Sequence, residues 1–494
     1  MNLFINGFFE NFQLQIASEI LQSQRVNYLY LTYFEKEPNF DRFCKKATYL
    51  NYEETLWANY KVDWNQSVPL DSNIISHMTH CEIIFLKMMD RCESKGFLSY
   101  SQRKSLYLKH LRYWNHIISQ GKLDLYIGAN IPHEGYDYVA YCLCKLYKIK
   151  TLIFFQGPIE DTVFLTEDWQ AWNEIKNAYY NLIISNQSEI KANVSSIILT
   201  DRFQSHYDNQ SERGKDPIPF YMNSTPWSLK QQAKDFLSFS ENVNLKLFID
   251  QTKGRIKSLI KERFFDKKHN IFEEYRKLSQ PPDFSKKYIY VALHYQPECT
   301  TSPMADVFVD QILIVQMLSS VLPEDVYLYV KDHPMQEKVG RDRKFYQELK
   351  QIRNVHLIPR DFNSFRILEN SIAVATATGT VGWEALFRDK PVLMFGFNFY
   401  QHAPNVFHIQ NIEQCRTAVH KILQISKNQL HLIQVRLFLK AIEQSSIKGY
   451  IDSAYRTISK ISEVENINNI SNALIQTVKN LQTESDHIEE INLP

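Results

Sequence analysis

Apolar positions along the chain fall into two successive arrays in which short continuous runs alternate with longer stretches of helical period. In the first half, YLYLTYF (Tyr28–Phe34) and LDLYIGA (Leu123–Ala129) read as strands, and 77–119 reads as helical. DYVAYCLCKLYKI then leads into KTLIFFQ (Lys150–Gln156). Strand, loop, helix and strand succeed one another in about 30 residues, the length of one βαβ unit, and that crossover implies a parallel sheet. Residues 169–192 read as helical, SSIILT (Ser195–Thr200) as a further strand and 201–220 as irregular. The stretch 244–277 reads as a basic helix. It is either a solvated face or a surface turned to anionic lipid or a phosphorylated acceptor. LSQPPDFSKK (Leu278–Lys287) breaks the pattern with two prolines and marks a domain boundary.

Beyond it KYIYVALHY, VYLYVK, NVHLIP, SIAVATA and PVLMFGF predict five more strands. In VFVDQILIVQMLSSVL, Val309, Ile312, Leu313 and Met317 fall on one helical face. The expected architecture is α/β, with two Rossmann-like domains facing each other across a cleft. Domains are expected at 1–280 and 287–460, followed by a helical tail at 461–494 able to pack back onto the first domain. Ligands of such sheets lie outside the carboxyl ends of the strands, so the residues just after each strand carry the functional information.

Composition narrows the classes. With 56 Lys+Arg against 55 Asp+Glu in 494 residues the chain is neither a strongly basic nucleic-acid binder nor an acidic tail protein. Seven scattered cysteines without a CxxC pair argue against a disulfide framework and a zinc ribbon. The N-terminus has no Lys or Arg before Arg25 and contains Glu10, unlike a secretory signal, and no window has the length of a membrane span. A cytoplasmic location follows as an expectation.

Candidate chemistry clusters at strand ends. SIAVATATGTVGWEALF carries a small, hydroxyl-rich loop, Thr376 to Thr380, ahead of a helix expected to begin near Val381. Such a turn offers backbone N–H groups to a phosphate at Thr378, Gly379 and Thr380, and Glu384 in the first helical turn offers a carboxylate to ribose hydroxyls. The alternative is a plain turn with Thr380 as the N-cap. VYLYV runs into Lys331-Asp332-His333-Pro334, a cation and an imidazole that both suit a phosphate. KYIYVAL ends in His294 and Tyr295, candidates for contact with a donor sugar or its phosphate. In the first half LDLYIGA leads to His133 and Glu134, either of which suits proton abstraction from an acceptor hydroxyl, the alternative being that Glu134 and Asp137 cap the next helix. No ligand set for a metal is complete, and none is expected.

LHYQPECTTSP, the KDHP element and TATGTVGWEALFRDKPVLMFG occur in that order, and the region from Lys287 to about His408 resembles the bacterial capsular polysaccharide biosynthesis family. These are GT-B glycosyltransferases that include 3-deoxy-manno-octulosonic acid (Kdo) transferases. The HP element is also similar to that of polysialyltransferases and teichoic acid glycerophosphotransferases, which use cytidine nucleotides. The resemblance implies a metal-independent transferase without a cofactor, acting on a CMP-linked sugar such as CMP-Kdo and a glycan or glycolipid acceptor. Lys331 and His333 would bind donor phosphate, Thr378, Gly379 and Thr380 would cradle it, and Glu384 would hold the ribose. It further implies peripheral contact with the inner face of the membrane or with capsule assembly proteins. His133-Glu134-Gly135 is similar in part to the acidic-Gly element that houses the base in polysialyltransferases. The Glu-Asp-Gly-Phe element of capsule-linker Kdo transferases is absent. Direct attack by an activated hydroxyl inverts the anomeric centre, whereas a carboxylate nucleophile such as Asp161 would retain it. The alternatives are a nucleotide-sugar 2-epimerase and a non-catalytic assembly or export factor.

Overall fold

The computed structural model describes residues 1–92, 98–185, 197–212, 271–336, 341–425 and 430–491. The first sheet has seven strands: β1 (Asn2–Asn6), β2 (Val26–Tyr33), β3 (Cys44–Asn51), β4 (Leu125–Gly128), β5 (Lys150–Gln156), β6 (Thr162–Thr166) and, from the far end of the chain, β13 (Ile447–Lys448). Their order is β13-β6-β5-β4-β1-β2-β3, with β1 to β5 parallel, β6 antiparallel to β5, and β13 antiparallel to β6. The second sheet has β7 (Lys287–Ala292), β8 (Val326–Lys331), β9 (Val355–Ile358), β10 (Ala373–Thr376), β11 (Val392–Met394) and β12 (Val406–His408). It is parallel throughout, in the order β12-β11-β10-β7-β8-β9. Each sheet reverses its winding once, between β1 and β4 in the first and between β7 and β10 in the second. These are the two points where a doubly wound sheet opens a crevice at its carboxyl edge.

The strands form where both faces are covered. In β1 Leu3 and Ile5 face a core shared with Phe12 and Ile16 of the helix Asn11–Ser23 and Ile470 and Leu474 of the helix Glu463–Ile491, while Phe4 faces Trp114 and Tyr126 on the other side. This alternation is the period-two signature of a central strand. After residue 430 the chain returns to the first half: Phe438 of the helix Leu430–Ser445 meets Tyr179 edge to face at 5.2 Å, and β13 pairs with β6. Both lie inside the 287–460 span expected of the second domain.

The halves meet along an aromatic seam, with ring centroids 5.4 Å apart for Phe164–Phe399, 6.3 Å for Phe155–Phe399 and 6.1 Å for Trp169–Phe397. Polar contacts flank it. The helix Thr79–Cys92 reaches the second half through His80–Asp306 (2.7 Å) and Lys87–Asp310 (3.3 Å).

Several expectations from the pattern need correction. Residues 197–200 form no strand; Thr200 precedes the helix Asp201–Ser211, which occupies part of the segment expected to be irregular. Leu313 is 40% exposed, and Ile314, Val315 and Leu318 are the buried positions of the helix Ile312–Val321, because a nearly all-apolar helix gives its period no contrast. Of the basic stretch 244–277, residues 244–270 lie outside the described residues. Among the described residues no helix is long and apolar enough to cross a membrane.

Candidate active site at two strand switch points

At the switch point of the second sheet, β10 ends in Thr376 and the next helix is Thr380–Leu386, with Gly379 as its N-cap. The turn between them is held from β7 by His294. The Thr376 hydroxyl lies 2.8 Å from His294 Nε2, Thr378 donates its backbone N–H to the same nitrogen at 3.1 Å, and the Gly379 N–H is donated to Thr376 Oγ1 at 3.0 Å. Since Thr378 N–H can only donate, His294 Nε2 is the acceptor and the ring is the neutral Nδ1–H tautomer. Burial, reinforced by Arg341 and His333, pushes its pKa down to about 3. His294 is therefore a strut of the turn, with Nε2 committed to it. A Cβ on Gly379 would stand 2.8 Å from Thr376 Oγ1 and 3.1 Å from the His294 ring, so the close approach of ring and turn requires glycine.

The Thr378 side chain points away from the turn and donates to the Thr300 carbonyl at 2.7 Å, tying the β7 loop to it. Thr380, the first helical residue, is exposed. Because the helix begins at Thr380, Glu384 falls just past its first turn, half-buried and within electrostatic reach of Tyr290 and Tyr400.

The KDHP element continues β8. Lys331 is 5% exposed and donates to Ser364 Oγ at 2.8 Å. Burial pushes its pKa down to about 8 against the pull of Asp332 and Asp361. Asp332 is the anchor of the loop. It pairs with Arg341, both side chains being fully buried, accepts from the Tyr346 hydroxyl at 2.6 Å and receives the His333 N–H at 2.9 Å. Arg341 also donates to the His294 carbonyl, so one guanidinium joins the loops after β7 and β8. His333 Nδ1 accepts from the Met335 N–H at 3.2 Å, which leaves the proton on Nε2. Burial is the main reason its pKa falls to about 4, with Asp332 opposing. His333 is thus a neutral donor, half-buried, with the Tyr295 ring 5.9 Å away.

At the switch point of the first sheet the loop after β4 carries His133 and Glu134, whose side chains keep 17% and 25% of their surface exposed. Asp137 accepts the N–H groups of His133 (3.1 Å) and Glu134 (2.7 Å) and so fixes the loop, while the helix Tyr136–Leu146 has Gly135 as its N-cap and no side-chain cap. Burial, with Glu134 nearby, lifts its pKa to about 7. Gly135 turns the chain at φ +78°, a left-handed conformation that favours glycine. Glu134 lies 3.3 Å from His133 Nε2 and 3.6 Å from Arg91, and accepts from the Tyr52 hydroxyl at 2.9 Å. Burial alone would raise its pKa; Arg91, His133 and Tyr52 outweigh that and hold it below the usual carboxylate range. His133 bonds through Nδ1 to the Ile131 carbonyl, which can only accept, so Nε2 carries the lone pair and faces Glu134. Burial and Arg91 lower its pKa against the pull of Glu134 and the Ile131 carbonyl.

The second-sheet candidates therefore gather around the loops after β7, β8 and β10, and His133 and Glu134 gather at the other switch point. Between them runs the β7 loop: Arg91 lies within electrostatic reach of Glu298 and Cys299, and Thr300 touches Thr378. Asp161 belongs to neither group. Its carboxylate holds Ser459 Oγ at 2.6 Å and Lys460 N at 3.2 Å, which removes it from the role of nucleophile. Arg91, Tyr52 and Arg341 escaped the sequence reading, since nothing in their local strings separates them from surface or core positions. Among the described residues no group of three or more His, Cys, Asp or Glu is placed to hold a metal ion.

Residues 305–418 match the family described as capsule polysaccharide biosynthesis protein. A 73-residue stretch is 34% identical to the capsule polysaccharide modification protein LipA of Neisseria meningitidis serogroup B, covering 15% of this chain and 10% of that one; the serogroup A protein matches to the same extent. The match thus spans a tenth of the length of these curated relatives. Among solved structures, the beta Kdo 2,7 transferase KpsC of Thermosulfurimonas dismutans is similar at 10% identity and a TM-score of 0.33, over 96% of this chain and 99% of that one. The UDP-GlcNAc 2-epimerase of Methanocaldococcus jannaschii is similar at 12% identity and 0.26, over 90% and 99%. The matched stretch contains Lys331, His333 and the Thr378–Thr380 turn.

Proposed function

We propose that the chain is a glycosyltransferase of capsular or other surface polysaccharide biosynthesis, moving a sugar from a CMP-linked donor such as CMP-Kdo to a glycan or glycolipid acceptor. The observation that carries the reading is the pair of switch points. One presents a cation and a neutral imidazole donor beside a tight Gly turn, and the other presents a lone-pair nitrogen backed by a carboxylate. The cytidine base rests on the resemblance of the KDHP element.

In this reading Lys331 and His333 Nε2–H take up the negative charge that develops on the leaving phosphate, and the Thr378–Thr380 turn positions it. His133 Nε2 accepts the proton of the acceptor hydroxyl as its oxygen bonds to the anomeric carbon. The bond from that carbon to the phosphate oxygen breaks, and CMP leaves with the electron pair. Glu134, held ionised, stabilises the imidazolium that forms. A single displacement inverts the anomeric centre, and no metal takes part. Contact with the inner face of the membrane or with other assembly proteins belongs to the same reading.

The test is a thermal shift series with CMP, CDP, UDP and GDP, followed by transfer assays with the preferred nucleotide's sugars. A ligand at about one hundred times its Kd stabilises the native state by roughly 3 kcal/mol. Preference for a cytidine nucleotide is expected. Preference for UDP, with isomerised sugar formed in the absence of acceptor, would replace the transferase by an epimerase. Nucleotide binding without turnover of any donor and acceptor pair would leave an assembly factor.

A further inference from the structure

The helix Tyr100–Ser119 and the segment carrying Trp64, Pro69 and Leu70 border an open cavity of about 690 Å³, lined by none of the residues discussed so far. Its walls include Trp64, Leu70, Tyr100, Lys104, Lys109 and Arg112, and none of its lining residues is acidic. Arg112 sets the aromatic wall. Its guanidinium stands 5.4 Å from the Trp64 ring centroid and donates to the Trp64 carbonyl, so ring and cation are held together. Lys104 is paired with Glu82, but neither Lys109 nor Arg112 has a carboxylate partner among the described residues. Tyr100, at the rim, is 67% exposed.

We propose that this cavity binds an anionic saccharide, a short stretch of glycan whose carboxylates meet Lys109 and Arg112 while a sugar face lies against Trp64. Three observations converge on that chemistry. The volume falls within the roughly 300–1,000 Å³ of small-ligand sites and is large enough for several sugar rings. An aromatic face fixed by a stacked guanidinium suits the apolar face of a sugar ring. The excess of cations over acids selects anions.

Topology adds a role. The helix Tyr100–Ser119 runs from the carboxyl side of β3 back to the start of β4, so Tyr100 and Lys104 lie toward the sheet edge that carries His133 and Glu134. The cavity would hold the part of an acceptor chain already built. That role rests on the transferase reading; the binding itself does not.

Isothermal titration without any donor tests it, with tetragalacturonate as the acidic glycan, cellotetraose as the neutral one and inorganic phosphate as the bare anion. Tetragalacturonate is expected to bind, to weaken about tenfold in Lys109→Glu at unchanged melting temperature and at least as much in Arg112→Gln, and to weaken in 0.5 M salt, since each lost charge-assisted contact is worth about a factor of ten. Lys109 is exposed, which protects that variant from folding defects. Absence of tetragalacturonate binding, equal affinity for cellotetraose, indifference to both substitutions, or full displacement by phosphate at equal concentration would each overturn the proposal. None of these outcomes bears on transfer activity, and a failed transfer assay leaves the binding result standing.

Discussion

Replacing His294 by Phe keeps a ring in place and removes the acceptor on which the Thr376–Gly379 turn depends. In the native protein two donors, the Thr376 hydroxyl and the Thr378 N–H, converge on Nε2. The hydroxyl can rotate; the backbone N–H cannot. A buried donor left without a partner costs about 1–3 kcal/mol, so the variant should lose roughly 2–4 kcal/mol near pH 7. The pH dependence sharpens the expectation. His294 titrates at about 3 in the folded protein, below the roughly 6.5 of an unfolded chain. A depressed histidine contributes stability that is fully present above the unfolded pKa and is lost as pH falls towards the folded one. The loss is a little over 1 kcal/mol per pH unit, or roughly 3 kcal/mol over two units. The Phe variant lacks this term, so its stability curve should converge on that of the parent near pH 4.5. Urea denaturation from pH 4.5 to 7.5 measures both curves. A gap that stays constant across that range would refute the assignment of a neutral, buried acceptor to His294.

Three further outcomes follow from the geometry. Glu134→Gln should reduce the rate of sugar transfer by about 10²–10⁴ while nucleotide affinity is retained, because the imidazolium at His133 loses its counter-charge; parallel loss of nucleotide binding in titration would assign Glu134 a structural role. Nucleotide affinity should weaken as pH rises through about 8, where Lys331 gives up its proton. In Lys331→Arg the affinity should be flat to pH 9.5, and a parent profile that is flat over that range would remove Lys331 from the phosphate. Gly379→Ala should cost both stability and nucleotide affinity, since the added carbon would meet Thr376 Oγ1 at 2.8 Å and the hydrogen-bonded His294 ring has no room to yield; a melting temperature and Kd equal to the parent would contradict that packing.

How much of this was legible in the sequence depended on how much contrast each stretch offered. β4, β5 and the second-half strands are continuous apolar runs flanked by polar loops, and they stand out. β1 is five residues long, NLFIN, and its centrality comes from Leu125 and Leu29 on its two sides, partners 26 or more residues away that no local period reveals. β3 is an edge strand with Lys45 and Lys46 exposed, which hides its alternation. Strand-end loops were readable because a topology rule says where to look. The roles within them were less so: the sequence brings Thr378 to the right place but says nothing of its hydroxyl turning to Thr300, nor that His294 would face inward. Arg341 was invisible because its significance lies in Asp332 and the His294 carbonyl, both reached across the fold.

The contacts among Phe155, Phe164, Trp169, Phe397 and Phe399 constrain how the two halves can move. Two lobes joined by a bare hinge can swing wide to admit a substrate; lobes glued along a spine of rings cannot part without wetting it. Away from the spine the halves are joined by the polar contacts His80–Asp306 and Lys87–Asp310, which are weak beside buried rings. Separating the halves there costs less than parting the spine.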